Sequence, residues 1–296
     1  MPRASDYHHQ TKHSFHRFAR SAGYLDWAAQ PNPFRRYDGA PVLDLPREPL
    51  RADVPYEALF DRSAPPAPMN PAAVGEFLRC SMGLSAWKQY QTSRWALRVN
   101  PSSGNLHPTE TYVAWNGRVC HYAPRDHVLE IRADFKRAPV SPAASADGPD
   151  DQVLLVALTS IFWREAWKYG ERAFRYCQHD VGHAIGSLRF SAALLGWNLR
   201  LLPDWSDADI GALAGVDRDA DYGDAEREAP ECVAIVSADR EATIDRDALI
   251  AAARQATWHG RPNGLSRSHV EWPAIDAVDV ATRKPAGSVP DDHPVR

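Results

Sequence analysis

Apolar positions along the chain change period several times, and each change marks an element. Asn70-Pro71 sets a capping side chain before a proline at the first helical position, which predicts a helix to about Cys80. Ala86–Ser93 reads as a second short helix. Glu110–Trp115 and Arg118–Tyr122 alternate with period two around Asn116-Gly117, a strong hairpin signal, and His127–Arg132 reads as a third strand. Gln152–Thr159 is apolar almost throughout and strand-sized, the pattern of a strand buried on both faces.

Phe162–Gly170 is helix-like and closed by glycine. The longest helix follows, from about Glu171 to Leu195, with Phe174, Cys177, Val181, Ala184, Leu188, Ala192 and Leu195 recurring at steps of three and four. Arg172, Arg175, His179 and His183 form a second, polar stripe. Gly182 and Gly186 leave a notch that lets another backbone come close, a common feature of a helix at an interface. Trp197–Leu202 and Glu231–Ser237 read as strands, Ser206 caps a helix to about Ala214, Asp245–Trp258 is amphipathic, and Ile275–Ala281 ends the regular structure. The first 50 residues are polar, aromatic and proline-bearing without a clear period, and read as an extended arm. Arg137–Asp151 reads as an exposed loop. Strands, long helices and strands again predict an α+β fold with a mixed sheet, not an alternating doubly wound one.

Composition narrows the class. The chain has 296 residues, 44% hydrophobic and 24% charged, which is ordinary for a globular protein. A formal charge of −4 gives no electrostatic reason to expect nucleic acid. Cys80, Cys120, Cys177 and Cys232 are scattered and form no CxxC pair, so they read as reduced thiols in a cytoplasmic protein. The N-terminus has no apolar signal region, and no apolar run approaches the roughly 18 residues of a membrane span. His8, His9, His13 and His16 have no carboxylate or thiol at ligand spacing and read as a solvated basic face.

The dinucleotide fingerprint, the P-loop, the GxSxG elbow and HExxH are all absent. His179 and His183, with Asp180 between them, are a possible metal pair on the long helix, although nothing nearby supplies a third and fourth ligand. The stretch Arg94–Tyr112, reading RWALRVNPSSGNLHPTETY, carries arginines, serines, Gly104, Asn105 and His107 between two periodic segments. By composition it is equally a plain polar turn. Its groups also suit a redox cofactor: Ser102, Ser103 and Asn105 can line the pyrimidine edge of a flavin, Gly104 lets the backbone approach the ring, and Arg94 and Arg98 supply charge.

Residues 98–108, ArgValAsnProSerSerGlyAsnLeuHisPro, resemble the Arg-x-x-Pro-Ser-x-Gly-x-x-x-Pro signature of nitroreductase-superfamily flavoproteins, most closely the SagB-type dehydrogenases that oxidise azolines to azoles in modified peptides. LysTyrGlyGluArgAlaPheArgTyr (168–176), AspValGlyHisAla (180–184) and AlaLeuLeuGlyTrp (193–197) are similar to further motifs of that family, as is ProPheArgArgTyr (33–37) to longer bacterial relatives. The resemblance implies a nitroreductase-like fold over 66–285, preceded by an arm over 1–65 and followed by a flexible tail over 286–296. It implies a largely antiparallel sheet flanked by helices, with the long helix at a dimer interface.

For the site it implies FMN held by Arg94, Arg98, Ser102, Ser103, Gly104 and Asn105, with Leu202 and Asp204 passing near the flavin. Lys168 and Tyr169 match the pair that takes the substrate proton as hydride leaves to the flavin. The substrate is then a small molecule or modified peptide, and the partner a second copy or a second related half, since longer relatives continue past the point where Arg283-Lys284-Pro285 nears the end here. An Arg-rich FMN-phosphate cluster at the start of the domain has no copy, and Arg47, Arg51 and Arg62 are the nearest substitutes. A flavin-free structural or peptide-binding subunit on the same fold is the second reading, and a metal hydrolase using His179, Asp180 and His183 the third.

Overall fold

The computed structural model describes residues 3–135 and 152–287, so the expected loop over Arg137–Asp151 and nearly all of the tail lie outside the described residues. Helix α1 (Ala4–Thr11), strands β1 (Tyr37–Asp38) and β2 (Val42–Asp44) and the one-turn helix α2 (Ala58–Asp61) come first. Helix α3 (Pro71–Arg79) starts as its sequence dictates, with the Ala73 N–H donating to the Asn70 side chain at 3.0 Å. Strands β3 (Leu84–Tyr90), β4 (Ser93–Arg98), β5 (Thr109–Trp115), β6 (Arg118–Ala123) and β7 (Val128–Asp134) follow. Then come β8 (Val153–Ser160), α4 (Phe162–Tyr169), α5 (Ala173–Leu194), β9 (Asn198–Leu201), α6 (Asp207–Ala214) and α7 (Asp219–Tyr222). Strand β10 (Ala229–Ser237), α8 (Arg246–Gln255), β11 (Arg261–Pro262) and α9 (Pro273–Thr282) complete the order.

A seven-stranded sheet in the order β2-β7-β6-β5-β8-β10-β9 divides the molecule, and every neighbouring pair is antiparallel. The α+β class and the largely antiparallel sheet flanked by helices are thus found. Strand β8 shows why its sequence has so few polar positions. Leu154, Val156 and Leu158 pack with Phe77 of α3 and Val181 and Leu188 of α5. Leu155 and Ala157 pack on the other face with Ile210 and Leu213 of α6 and Leu249 of α8. A strand covered on both sides must be apolar at both phases of its alternation. Leu155→Ala would cost about 2–5 kcal/mol at such a site.

The expected helix over Ala86–Ser93 is a correction. These residues form most of a hairpin, β3 with β4, in register from Ala86 opposite Leu97 to Tyr90 opposite Ser93. Trp87 and Tyr90 are three apart, which mimics a helical face. The turn between the strands is Gln91-Thr92, with Gln91 at φ 51°, so the usual Asn-Gly or Asp-Gly signal is missing. The hairpin stands apart from the main sheet as its own two-stranded ribbon.

The segment before it is tied deeply into the body. Arg35 is fully buried and donates from Nε to Glu228 at 3.0 Å, and Tyr37 Oη meets Tyr112 Oη at 2.6 Å. Strand β1 pairs with β11, and β2 forms an edge of the main sheet. This anchorage carries Pro33 and Phe34 to the hairpin and the loop that follows it. Among the described residues no helix is long and apolar enough to cross a membrane.

Candidate active site

The loop from Val99 to Pro108 leaves the hairpin and enters the sheet at β5. Gly104, Asn105 and His107 lie in the left-handed region, at φ 62°, 60° and 53°. Non-glycine residues enter that region only when their surroundings hold them. Here the hydrogen bonds are visible. The Ser103 N–H and hydroxyl donate to the Asp180 carboxylate of α5 at 3.0 and 3.1 Å, and the His107 N–H donates to Ser102 Oγ at 2.8 Å. Asn105 Nδ2 donates to the Ala96 carbonyl at 2.9 Å, which turns its Oδ1 toward His107 Nε2, also at 2.9 Å. That ring nitrogen must then be the donor. Burial first, and Arg98 and Arg164 second, hold the His107 pKa far below the ordinary histidine value, so the ring is neutral.

Helix α4 brings Lys168 and Tyr169 to the same point. A Cβ built on Gly104 would lie 2.7 Å from Tyr169 Oη and 3.2 Å from Lys168 Nζ, so the loop backbone and this pair touch, and any larger residue would have to displace them. Tyr169 stacks on Tyr176 of α5 with ring centroids 4.4 Å apart, and Lys168 Nζ stands 5.5 Å from the Tyr169 ring. One turn earlier on α4, Glu165 is fully buried and neither carboxylate oxygen has a hydrogen-bond partner. Burial, reinforced by Asp180, pushes its carboxyl up to about 9. Burial and Glu165 also raise the Tyr169 phenol.

Gly104, Asn105, Trp167 and Lys168 line a cavity of about 850 Å³. Trp27 and Phe34, Trp87, Arg94 and Trp95 of the hairpin, and Arg125 from the β6–β7 turn line it too. Three cations and five aromatic rings line this space, and among the described residues no carboxylate does.

Of the residues expected to hold a cofactor, the structure brings Arg94, Gly104 and Asn105 to one cavity, together with Lys168 of the expected catalytic pair, whose Tyr169 touches Gly104. Arg98 is turned elsewhere: it is buried and donates to the carbonyls of Thr109 and Pro33, and burial pulls its guanidinium down to about 10. Ser102 and Ser103 shape the loop. Leu202 is in the core beside Trp205 and Ile210, and Asp204 is exposed, 3.8 Å from Arg246, so neither lines the cavity. The candidate metal group gains no further ligand among the described residues. Asp180 faces the loop, His183 is half exposed, and among the described residues no group of three or more His, Cys, Asp or Glu side chains is arranged to hold a metal.

Sequence reading missed the residues that fix this geometry. A buried charged chain runs from Arg36 to Glu130 at 2.6 Å, to His121 at 2.8 Å, to Glu110 at 3.0 Å and on to Arg164, which donates to the His107 carbonyl at 2.7 Å. Charged residues at inward phases of alternating strands were the available signal. Burial alone would lower the His121 pKa, but hydrogen bonds to Glu110 and Glu130 outweigh it and raise the imidazole to about 9. Arg164 and His121 hold Glu110 well below the usual carboxylate range against the opposing effect of burial.

Residues 66–224, more than half of the chain, match the family model described as the nitroreductase family. The chain belongs to the nitroreductase family. Among solved structures, this family member resembles a provisionally named nitroreductase from Anabaena variabilis, with TM-score 0.63 and 21% identity over 98% of this chain and 56% of that one. It thus spans little more than half the length of that relative. A provisionally named nitroreductase from Ralstonia eutropha gives TM-score 0.48 and 16% identity over 68% of this chain and 93% of that one. The Escherichia coli microcin synthetase McbBCD complex with truncated pro-MccB17 bound gives 0.41 and 17%, over 66% and 86%. No curated protein matches the nitroreductase-family chain.

Proposed function

We propose that this chain is an FMN-dependent oxidoreductase that moves a hydride between flavin and an organic substrate. The observation that carries the reading is the contact of Gly104 with Lys168 and Tyr169 at the wall of a cationic, aromatic cavity. The residues present fit such a cofactor. A lining of five aromatic rings beside Asn105 and Lys168, with no carboxylate among the described lining residues, suits a planar, reducible ring. Buried polar atoms without a protein partner gather at the same loop, namely Arg98 Nε, Asn100 Oδ1, His107 Nδ1, Thr109 Oγ1 and the neighbouring Arg164 Nη2.

FMN bound there would supply a two-electron hydride acceptor or donor. The chain's own part is positional and protonic. Asp180 and Asn105 hold the loop, Gly104 lets Tyr169 and Lys168 close on it, and Lys168 with Tyr169 would accept or return the proton that balances hydride loss at a substrate carbon. The pairing of Lys168-Tyr169 with this cavity favours the SagB-type reading, azoline-to-azole oxidation in a modified peptide, over simple nitro-group reduction. The outer face of α5 supports a second copy or related half as partner: no atom lies within 4 Å of a Cβ built on Gly182 or Gly186, and Phe190 is 50% exposed, 5.8 Å from Phe60. Titration of the purified chain with FMN, followed by quenching of flavin fluorescence, tests the reading. Saturable binding supports it and no binding overturns it.

A further inference from the structure

Two kinds of group line the cavity. Gly104 and Lys168 come from the loop and α4. Elsewhere in the lining, Arg94 lies over the Trp87 ring at 4.3 Å, Trp87 leans on Phe34 with centroids 6.2 Å apart, and Arg125 lies over Phe34 at 5.9 Å. Arg94 and Arg125 are exposed, and among the described residues neither forms a salt bridge, whereas Arg36, Arg118 and Arg246 all do. What sets these two guanidinium groups apart from Arg20, which is also exposed and lies over Trp272, is that both line one cavity. Guanidinium pairs anions in a planar fork, and aromatic faces take flat rings.

We propose that this wall is the substrate subsite, and that it takes a flat aromatic or heteroaromatic ring bearing a carboxylate or similar anionic group. Arg94 and Arg125 engage the anion, and Phe34 with Trp87 contacts the ring. The inference rests on the flavin reading of Gly104 and Lys168. A hydride moves only between groups held in contact, so the substrate must share the cavity with the flavin ring and Lys168. A space of about 850 Å³ is near the upper end of small-molecule pockets and leaves room beyond the flavin ring. The hairpin, the segment from Leu25 to Phe34 and Arg125 supply the cavity surface that the loop and α4 do not. Arg94 accordingly serves substrate selection, not cofactor binding.

The test uses para-nitrobenzoate and its neutral isostere para-nitrobenzamide, titrated into the full chain preincubated with FMN. Trp27, Trp87, Trp95 and Trp167 line the cavity, so tryptophan emission reports occupancy. The expected result is a preference of about tenfold or more for the anion, consistent with charge-assisted pairing. Arg94→Gln with Arg125→Gln should abolish that preference while FMN content stays constant. Equal binding of the two probes, or a preference that survives both substitutions, overturns the subsite. Loss of FMN from the double variant also overturns it, by assigning the arginines to the cofactor. A chain that takes up no FMN but prefers the anion through these arginines keeps the subsite and overturns the flavin reading alone. Both arginines are exposed, and each single substitution provides a second folded variant for the comparison.

Discussion

Gly104 and Tyr169 approach so closely that a Cβ on residue 104 would stand 2.7 Å from the phenolic oxygen. With φ at 62°, Gly104 also occupies a conformation that costs other residues about 1–2 kcal/mol. Gly104→Ala should therefore destabilise the cofactor-free chain by about that amount or more, as Tyr169 or the loop gives way. Denaturant unfolding measures it. A change indistinguishable from zero would mean that the contact is not maintained in solution.

The loop depends on Asp180, whose carboxylate accepts two hydrogen bonds from Ser103. Asp180→Ala leaves the Ser103 N–H without its partner and should cost about 1–3 kcal/mol, against roughly 1 kcal/mol for Ser103→Ala, which removes the hydroxyl alone. Amide hydrogen exchange at residues 102–107 should quicken in the aspartate variant. Unchanged protection there would separate the loop from α5.

Two buried groups give stability a pH dependence of the same sign. His121, with its folded pKa raised from 6.5 to about 9, contributes fully below pH 6.5, and that contribution is lost as pH rises toward and through 9. Glu165, raised from 4.5 to about 9, stays protonated in the fold where the unfolded chain has released its proton, so it too makes stability fall with rising pH between those values. Each pH unit inside a window is worth at most about 1.4 kcal/mol per group. Glu165→Gln should gain on the native chain between pH 5 and pH 8, because it deletes the second slope. His121→Gln should be less stable than the native chain at pH 6 and flatter above it. Melting temperatures across that range distinguish them, and parallel curves for the native chain and both variants would contradict the assignment.

In the proposed function Lys168 transfers a proton and does not hold the flavin ring. Lys168→Ala should retain FMN while substrate oxidation slows by about 10²-fold or more, the usual scale for a general base. Single-turnover reduction of the bound flavin is the measurement. Equal rates would remove Lys168 from the mechanism.

Regular elements were legible wherever one physical rule dominated. Strand β8 announced itself by being apolar at both phases, and α5 by its three-and-four spacing, because each rule needs only neighbours in sequence. The hairpin at Gln91-Thr92 was hidden because its turn lacks Gly or Asn and its tryptophan and tyrosine copy a helical spacing. At the site, the glycine loop and the Lys168-Tyr169 pair stood out as motifs, but their contact did not. Ser103 reaches Asp180 across 77 positions, and Arg98 reaches the carbonyl of Pro33 across 65. Such pairings depend on tertiary approach. For the same reason Asp180 read as a metal candidate beside His179 and His183 when its carboxylate in fact serves the loop. Phe34 and Arg125 carried no local mark of the cavity they help to line.

The central claim is that the loop at Gly104, on which Tyr169 and Lys168 close, forms the wall of a flavin site. FMN released on denaturation should be measured for the native chain and for Gly104→Val after both have been incubated with the cofactor, with circular dichroism establishing that both are folded. The account predicts a yellow native protein that releases FMN and a folded variant that releases little. A native chain that remains colourless, or a valine variant that holds FMN as well as the native chain does, would contradict it.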